Sequence, residues 1–395
     1  MKEKFIKSRF KSQTMGWIIG AIAIISVLLL YKLSSLTHGF SATELQTSHT
    51  VLGWHGLYSS IFYAPLTILQ SIIFYISPGH GYFLTRLPST IFGALTMLSF
   101  GWVLWLWHGK RTAILATPLF ITSAWVLHIS RFASYDIMYL WAITTLMLTH
   151  TLLQKYENNI FAWIGTVAFW GILITIPGMI WFLIAEIFLQ RKIIAGNIKS
   201  IPSFWMLLPS ILLFIVWIPL VIVSVSHPHT LITWLGLPEH FDPPLTILKH
   251  FFGVFVHLFI RGPEYPQIWL GRSPILDVFT LTVCGLGIYF YASRWDSSRS
   301  RLLAVMFIIG VILVTLNGPV GLSVLVPLLY CIAAMGIAYF MHEWLRVFPI
   351  NPIARGLGIA LMGIVITMSC LYNLRAYFVA WPHNPDTKAT FIYLK

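Results

Sequence analysis

Charge is the scarcest property of this sequence of 395 residues. Only 9% of them are Asp, Glu, Lys or Arg, against about 25% in an ordinary soluble domain. Acids are rarer than bases, 12 against 25. Cysteine occurs three times, at Cys284, Cys331 and Cys370, each within an apolar run, which excludes a disulfide scaffold. There is no Asn-x-Ser/Thr acceptor, no tandem repeat and no low-complexity segment. So little polar material also excludes an intrinsically disordered chain.

What fills the chain is apolar surface. Hydrophobic residues make up 58%, with 28 Phe, 17 Trp and 16 Tyr. A soluble domain of this length cannot bury that much, because its surface falls only slowly relative to its volume. The composition therefore excludes a soluble enzyme and points to an all-α polytopic membrane protein. The net charge of +13 then reports orientation in the membrane and not nucleic-acid binding.

A spanning helix needs about 20 mostly apolar residues. Eleven such runs are expected, near 16–35, 87–107, 112–129, 135–154, 160–176, 178–190, 204–226, 274–293, 302–317, 320–341 and 356–377. The pair 160–176 and 178–190 is short and shares a turn at Pro177-Gly178. This layout puts sixteen of the 25 basic residues on the side of the N-terminus, in short connections. By the positive-inside rule the N-terminus is cytoplasmic, and eleven spans leave the C-terminus external. The uncharged stretch 56–78 is long enough to span, but counting it would place the basic loops outside. It is read as apolar helix lying in the outer interface, broken at Pro65 and Pro78. The first segment resembles a secretion signal but lacks a small residue at the upstream cleavage position, so a retained anchor is expected. Residues 1–377 are taken as one membrane domain and 378–395 as a short external tail. The multi-pass chain belongs in the cell membrane.

The acids and histidines concentrate on the expected outer face, which also holds the two long connections, about 36–86 and 227–273. Glu44 is the only acid in the first of them. Ser41 three residues before it gives a capping-box spacing; the functional reading is a carboxylate at the membrane surface acting as general base. Arg131 and Asp136, in Arg131-Phe-Ala-Ser-Tyr-Asp136, read either as an ion pair closing a helix or as site residues. Arg86 opens a span, where a cation either snorkels or holds a lipid phosphate. His49 and His55 share the first connection, and Arg261 and Glu264 in the second are a surface pair or a substrate contact. His227 and His229 lack further ligands for a metal. Glu186, near the cytoplasmic end of a short span, is expected to pair with Arg191 or Lys192.

These residues together resemble a known family. A basic N-terminus, one span and a long external loop with an early acid are followed by apolar in-plane helices. An Arg-led span (TRLPSTIFGALTMLSF) and a turn bearing Arg and Asp (HISRFASYDIMYL) come next. The pattern resembles the GT-C membrane glycosyltransferases, specifically the family 39-like group of protein mannosyltransferases and aminoarabinose transferases, over about residues 1–155. The resemblance implies a GT-C-like fold and a sugar donor carried on a polyprenyl phosphate. It implies a hydroxyl acceptor on a glycan, lipid or protein. The family opens its first loop with an Asp-Glu pair whose Asp is the base; here the pair reads Thr43-Glu44, so only the Glu position matches. Either Glu44 takes over as base or the activity is altered. Asp136 falls at the family's second-loop acid. Arg86, Arg131, Arg261 or a divalent cation would meet the charge on the leaving phosphate, and His49, His55 and Glu264 are further candidate contacts. No cofactor is otherwise implied, and membrane lipids are the expected surroundings. The rival readings are a transporter or lipid flippase, which would be expected to carry repeats and mid-membrane charges, a haem or metal protein, and a non-catalytic relative.

Overall fold

The computed structural model describes residues 16, 19–37, 39–49, 62–77, 81–200, 202–226, 228–263 and 273–393. Its helices run in chain order α1 (Ile19–Leu30), α2 (Ala42–His49), α3 (Ala64–Ile76), α4 (Tyr82–Thr122), α5 (Ala124–Arg131), α6 (Asp136–Lys155), α7 (Ile160–Leu173) and α8 (Met179–Leu189). Then follow α9 (Arg191–Ser200), α10 (Ser203–Ser226), α11 (Pro228–Trp234), α12 (Pro244–Phe259), α13 (Val278–Ser293), α14 (Ser298–Thr315), α15 (Val326–Val347), α16 (Pro352–Arg375) and α17 (Pro385–Thr390). A π-turn at Ala376–Ala380 continues α16. Among the described residues the one extended pairing is an antiparallel bridge between Phe40 and Tyr393.

The run α4 is two limbs and not one rod. Gly109 has φ 82° and ψ 172°, a conformation open to glycine without steric cost. The chain reverses there, so that the ring of Phe100 stacks on that of Phe120 with centroids 4.0 Å apart. The two limbs are the expected runs 87–107 and 112–129. Against them lies α6, buried around nearly its whole circumference, as a helix apolar on all sides must be when it sits at a bundle centre. Helices α13 and α15 touch backbone to backbone. A β-carbon built on Gly336 would stand 1.7 Å from the carbonyl oxygen of Val283, and one on Gly287 would stand 1.9 Å from that of Ile332. Small residues of this kind let membrane helices approach closely.

Large apolar side chains cover the outside. Phe204, Phe214, Ile350, Ile353 and Met368 are all exposed, which is the surface a lipid solvent requires. Among the described residues five helical runs are long and apolar enough to cross a bilayer: Tyr82–Thr122, Asp136–Lys155, Ser298–Thr315, Leu322–Val347 and Pro352–His383. All eleven expected runs are helical, but length does not carry a count of eleven crossings. Helices α7 and α8 have 14 and 11 residues, or about 21 and 16 Å of rise, short of a hydrocarbon core of about 30 Å. Their shared turn is where the sequence places it, with Gly178 in the left-handed region at φ 78°.

The stretch 56–78 is described from residue 62 and forms the 13-residue helix α3, too short to span. Pro65 does not break this helix but sits in its first turn, where its missing N–H costs nothing. Glu186 also differs from expectation. It pairs with His150 at 2.9 Å and not with Arg191, whose guanidinium lies over the Phe188 ring. Glu186 and His150 both face the interior and are fully buried, whereas Arg191 on the next helix is exposed.

Candidate functional site

The site grows from the first turn of α2. Ser41 and Glu44 close a reciprocal capping box: the Glu44 N–H donates to Ser41 Oγ at 3.2 Å and the Ser41 N–H to Glu44 Oε2 at 3.2 Å. The same carboxylate receives the Arg86 guanidinium side-on, Nε to Oε1 at 2.7 Å and Nη2 to Oε2 at 3.0 Å. The Ala133 N–H adds a contact to Oε1 at 3.5 Å. Both groups are buried, Glu44 at 0% and Arg86 at 4% exposure. The remaining donors of Arg86 go to the Leu33 carbonyl at 3.0 Å, to Thr37 Oγ1 at 2.8 Å and to the Gly39 carbonyl at 3.3 Å. Capping and ion pairing are therefore not alternatives for Glu44. One carboxylate does both, and the pair ties the end of α1, the start of α2 and the start of α4 together.

Arg131, at the end of α5, stands close by and is much less satisfied. Its Nη2 donates to the Tyr31 carbonyl, and its guanidinium lies over the rings of Phe378 and Tyr377, 4.8 and 5.3 Å from their centroids. Nε and Nη1 are buried without a hydrogen-bond partner among the described residues. An unmet buried donor costs about 1–3 kcal/mol, more when charged. Burial, with a further contribution from the Arg86 charge, pulls the guanidinium below its ordinary pKa.

Arg86 and Arg131 line the same cavity. His128, one turn before Arg131, is a third wall, and Tyr377, Trp381 and Phe391 close it from the segment after α16. Its free space is about that of one water molecule. His128 is sandwiched there, its ring stacked on Phe132 at 5.1 Å and edge-on to Trp381 at 4.7 Å.

Asp136 opens α6 and does not pair with Arg131, so the short ion pair across that turn is not formed. The two point to different neighbours. Asp136 is half-buried; Ser323 Oγ donates to its Oδ1 from 3.4 Å, and Gly321 packs against the same oxygen. Beside it, the Tyr63 and Tyr135 rings stack at 4.4 Å, Tyr63 Oη lies 3.0 Å from Tyr139 Oη, and Tyr139 donates to the Pro319 carbonyl at 3.1 Å. The Asp136 carboxylate thus has the Ser323 and Ser134 hydroxyls as partners and no cation, whereas every oxygen of Glu44 is engaged by Arg86.

The structure brings together Glu44, Arg86 and Arg131, with Asp136 on the same short turn as Arg131. Arg261 ends α12 with an exposed side chain and does not line the cavity. His49 belongs to α2, while His55 and Glu264 lie outside the described residues. Among the described residues no three His, Cys, Asp or Glu side chains converge. With Glu44 engaged by Arg86, the charges available to an anion here are guanidinium groups. Reading by sequence misses His128, Tyr377, Trp381 and Phe391. The last three sit in an aromatic-rich stretch that has the composition of an ordinary interfacial belt.

No protein-family model matches the chain, and no curated protein matches it by sequence. Solved structures do match. Over 96% of this chain and 76% of its own length, ArnT from Cupriavidus metallidurans in the apo state superposes with a TM-score of 0.57 at 12% identity. The same protein bound to undecaprenyl phosphate gives 0.57 over 95% of this chain. The oligosaccharyltransferase of Archaeoglobus fulgidus, tethered with an acceptor peptide containing the NVT sequon, gives 0.55 at 14% identity; 95% of this chain is covered but only 55% of that one. The chain shares the fold of these proteins, and its long apolar helices mark it as an integral membrane protein.

Proposed function

We propose that the protein is a glycosyltransferase. It moves a sugar from a polyprenyl-phosphate-linked donor to an acceptor hydroxyl on a glycan, lipid or protein, at the outer face of the cell membrane. The basic loops then lie in the cytoplasm with the N-terminus, and the Glu44 end of the bundle faces out.

The observation that carries the reading is Arg131: a buried guanidinium with two unmet donors at a cavity it shares with Arg86. Such a group calls for an anion, and a charge-assisted bond to phosphate is among the stronger hydrogen bonds available. A phosphate tethered to a lipid tail reaches this position from the bilayer. ArnT in its complex with undecaprenyl phosphate, a protein of the same fold, supports that choice of anion.

The chemistry follows from the two carboxylates. The acceptor oxygen attacks the anomeric carbon and gives up its proton, while the bond from that carbon to the phosphate oxygen breaks and its electron pair leaves with the phosphate. Single displacement inverts the anomeric centre. Arg131 meets the developing phosphate charge. Asp136 takes the proton, because it is the carboxylate that no cation holds, whereas Glu44 is paired with Arg86. Glu44, the base expected from sequence, has both carboxylate oxygens engaged by Arg86, with the Ser41 and Ala133 N–H groups adding contacts. Its role is to hold Arg86 and the turn before Asp136 in register.

The test is transfer of labelled sugar from polyprenyl-phosphate donors in membranes. Asp136→Asn lowers transfer by roughly 10²–10⁴-fold, the usual contribution of a general base, with the protein still folded. Glu44→Gln acts through folding yield instead, and the folded fraction retains most of its turnover. Full activity of Asp136→Asn contradicts the assignment.

A further inference from the structure

The Arg131 cavity is too small for a phosphate group as it stands, since it admits about one water molecule. What closes it is the segment that follows α16. Phe391 sits edge-on against Phe132 at 5.8 Å and against Trp381 at 5.5 Å. Beyond it, Tyr393 pairs with Phe40 by a reciprocal pair of backbone bonds, Phe40 N–H to the Tyr393 carbonyl at 2.8 Å and Tyr393 N–H to the Phe40 carbonyl at 3.2 Å. Gly39 completes the contact: a β-carbon there would lie 2.6 Å from the Phe391 carbonyl oxygen, so the strap fits only against glycine.

The same segment is a compact unit of its own. Its short helix α17 starts at Asn384, whose side chain caps it at 3.1 Å through the Asp386 N–H. Asn384 itself is extended, at φ −66° and ψ 132°, and lies between Pro382 and Pro385. Upstream, α16 ends in a π-turn, a feature often found at functional positions. The backbone link to the body of the protein past Phe391 is the two-bond bridge to Phe40.

From this geometry we infer that residues 384–393 are a latch over the anion cavity. Release of the Phe40–Tyr393 bridge lifts Phe391 out of the cavity wall and admits a phosphate-bearing headgroup to Arg131; rebinding of the bridge closes the site over it. The inference rests on the reading of the cavity as an anion site, and it assigns control of entry to a segment that takes no part in the chemistry.

Leu36 lines the cavity and is half-buried, so a thiol placed there reports opening. The experiment measures maleimide modification of Leu36→Cys, in a Cys370→Ser background, on the purified full-length protein. Tyr393→Pro removes the bridging N–H from an exposed position, and deletion of residues 384–395 is the second variant. Modification is expected to be at least tenfold faster in both, and association of labelled undecaprenyl phosphate should speed up in parallel. Equal modification rates in all three proteins overturn the latch whatever the lipid does. Faster modification with no binding of undecaprenyl phosphate or inorganic phosphate by any of the proteins overturns the anion reading instead, and with it the latch's purpose.

Discussion

Helix α6 carries a buried charged cluster near each end, and the two are opposite in kind. Its start follows the turn that carries Arg131 and whose Ala133 N–H reaches Glu44, the partner of Arg86. About 21 Å further along, at a rise of about 1.5 Å per residue, His150 meets Glu186. The second cluster has its ionisable groups fully partnered, and Gln190 Oε1 is the atom of it left without a partner among the described residues. His150 Nδ1 donates to Glu186, with oxygens at 2.9 and 3.0 Å, and Gln190 Nε2 donates to Glu186 Oε1. Gln154 Nε2 donates to Ser298 Oγ at 2.6 Å, which leaves the Ser298 hydroxyl proton for His150 Nε2 at 3.2 Å. Both ring nitrogens and both carboxylate oxygens have partners, and both residues are 0% exposed. The first cluster leaves Arg131 with two unmet donors beside a cavity. Buried charge is common to the two ends. Unmet donors on a charged group beside a cavity separate a site from a clamp.

Changes at the two ends should therefore register in different measurements. The largest effect on folding belongs to Arg86→Met. It strands the Glu44 carboxylate in the interior and costs about 3–5 kcal/mol, seen as a large fall in the thermal midpoint in detergent. An unchanged midpoint would mean that the Glu44 pair does not brace α2 against α4. Next is Glu186→Ala, which removes the carboxylate that His150 Nδ1 and Gln190 Nε2 share and costs about 1–3 kcal/mol; sugar transfer per folded molecule stays at the wild-type level. A drop in that turnover without loss of stability would make the second cluster part of the site. The smallest effect is expected of the double variant His150→Leu, Glu186→Leu. Replacing both partners of a buried pair by apolar side chains of similar volume is often close to neutral, so its midpoint lies near wild type and above that of Glu186→Ala. A double variant less stable than the single one would break the comparison.

Much of this was legible in the sequence, for reasons that differ by residue. Long apolar runs and basic loops fix the helices and their order, because lipid leaves the backbone no alternative. Glu44, Arg86, Arg131 and Asp136 could be singled out because a chain with so few charges seldom buries one without use. Their partners could not be read. Arg86 finds Glu44 at a sequence separation of 42, and Glu186 takes His150 from another helix where a neighbour in sequence was expected. Length was the other weak signal: the turn at Pro177-Gly178 was visible, but the shortness of α7 and α8 against the bilayer was decisive only once their ends were known. The cavity's far wall was illegible, since the aromatics at 377, 381 and 391 look like any membrane-interface belt until the chain folds back on Phe40.

The central claim, that the open end of α6 holds a lipid phosphate through Arg131, is tested most directly by equilibrium binding of labelled undecaprenyl phosphate. Purified wild type, Arg131→Met and the double variant His150→Leu, Glu186→Leu are compared in the same detergent. Hydrogen bonds to charged groups contribute about 1.5–3 kcal/mol, so Arg131→Met should raise Kd by at least tenfold while the double variant binds as wild type does. Equal Kd values for wild type and Arg131→Met would contradict the account.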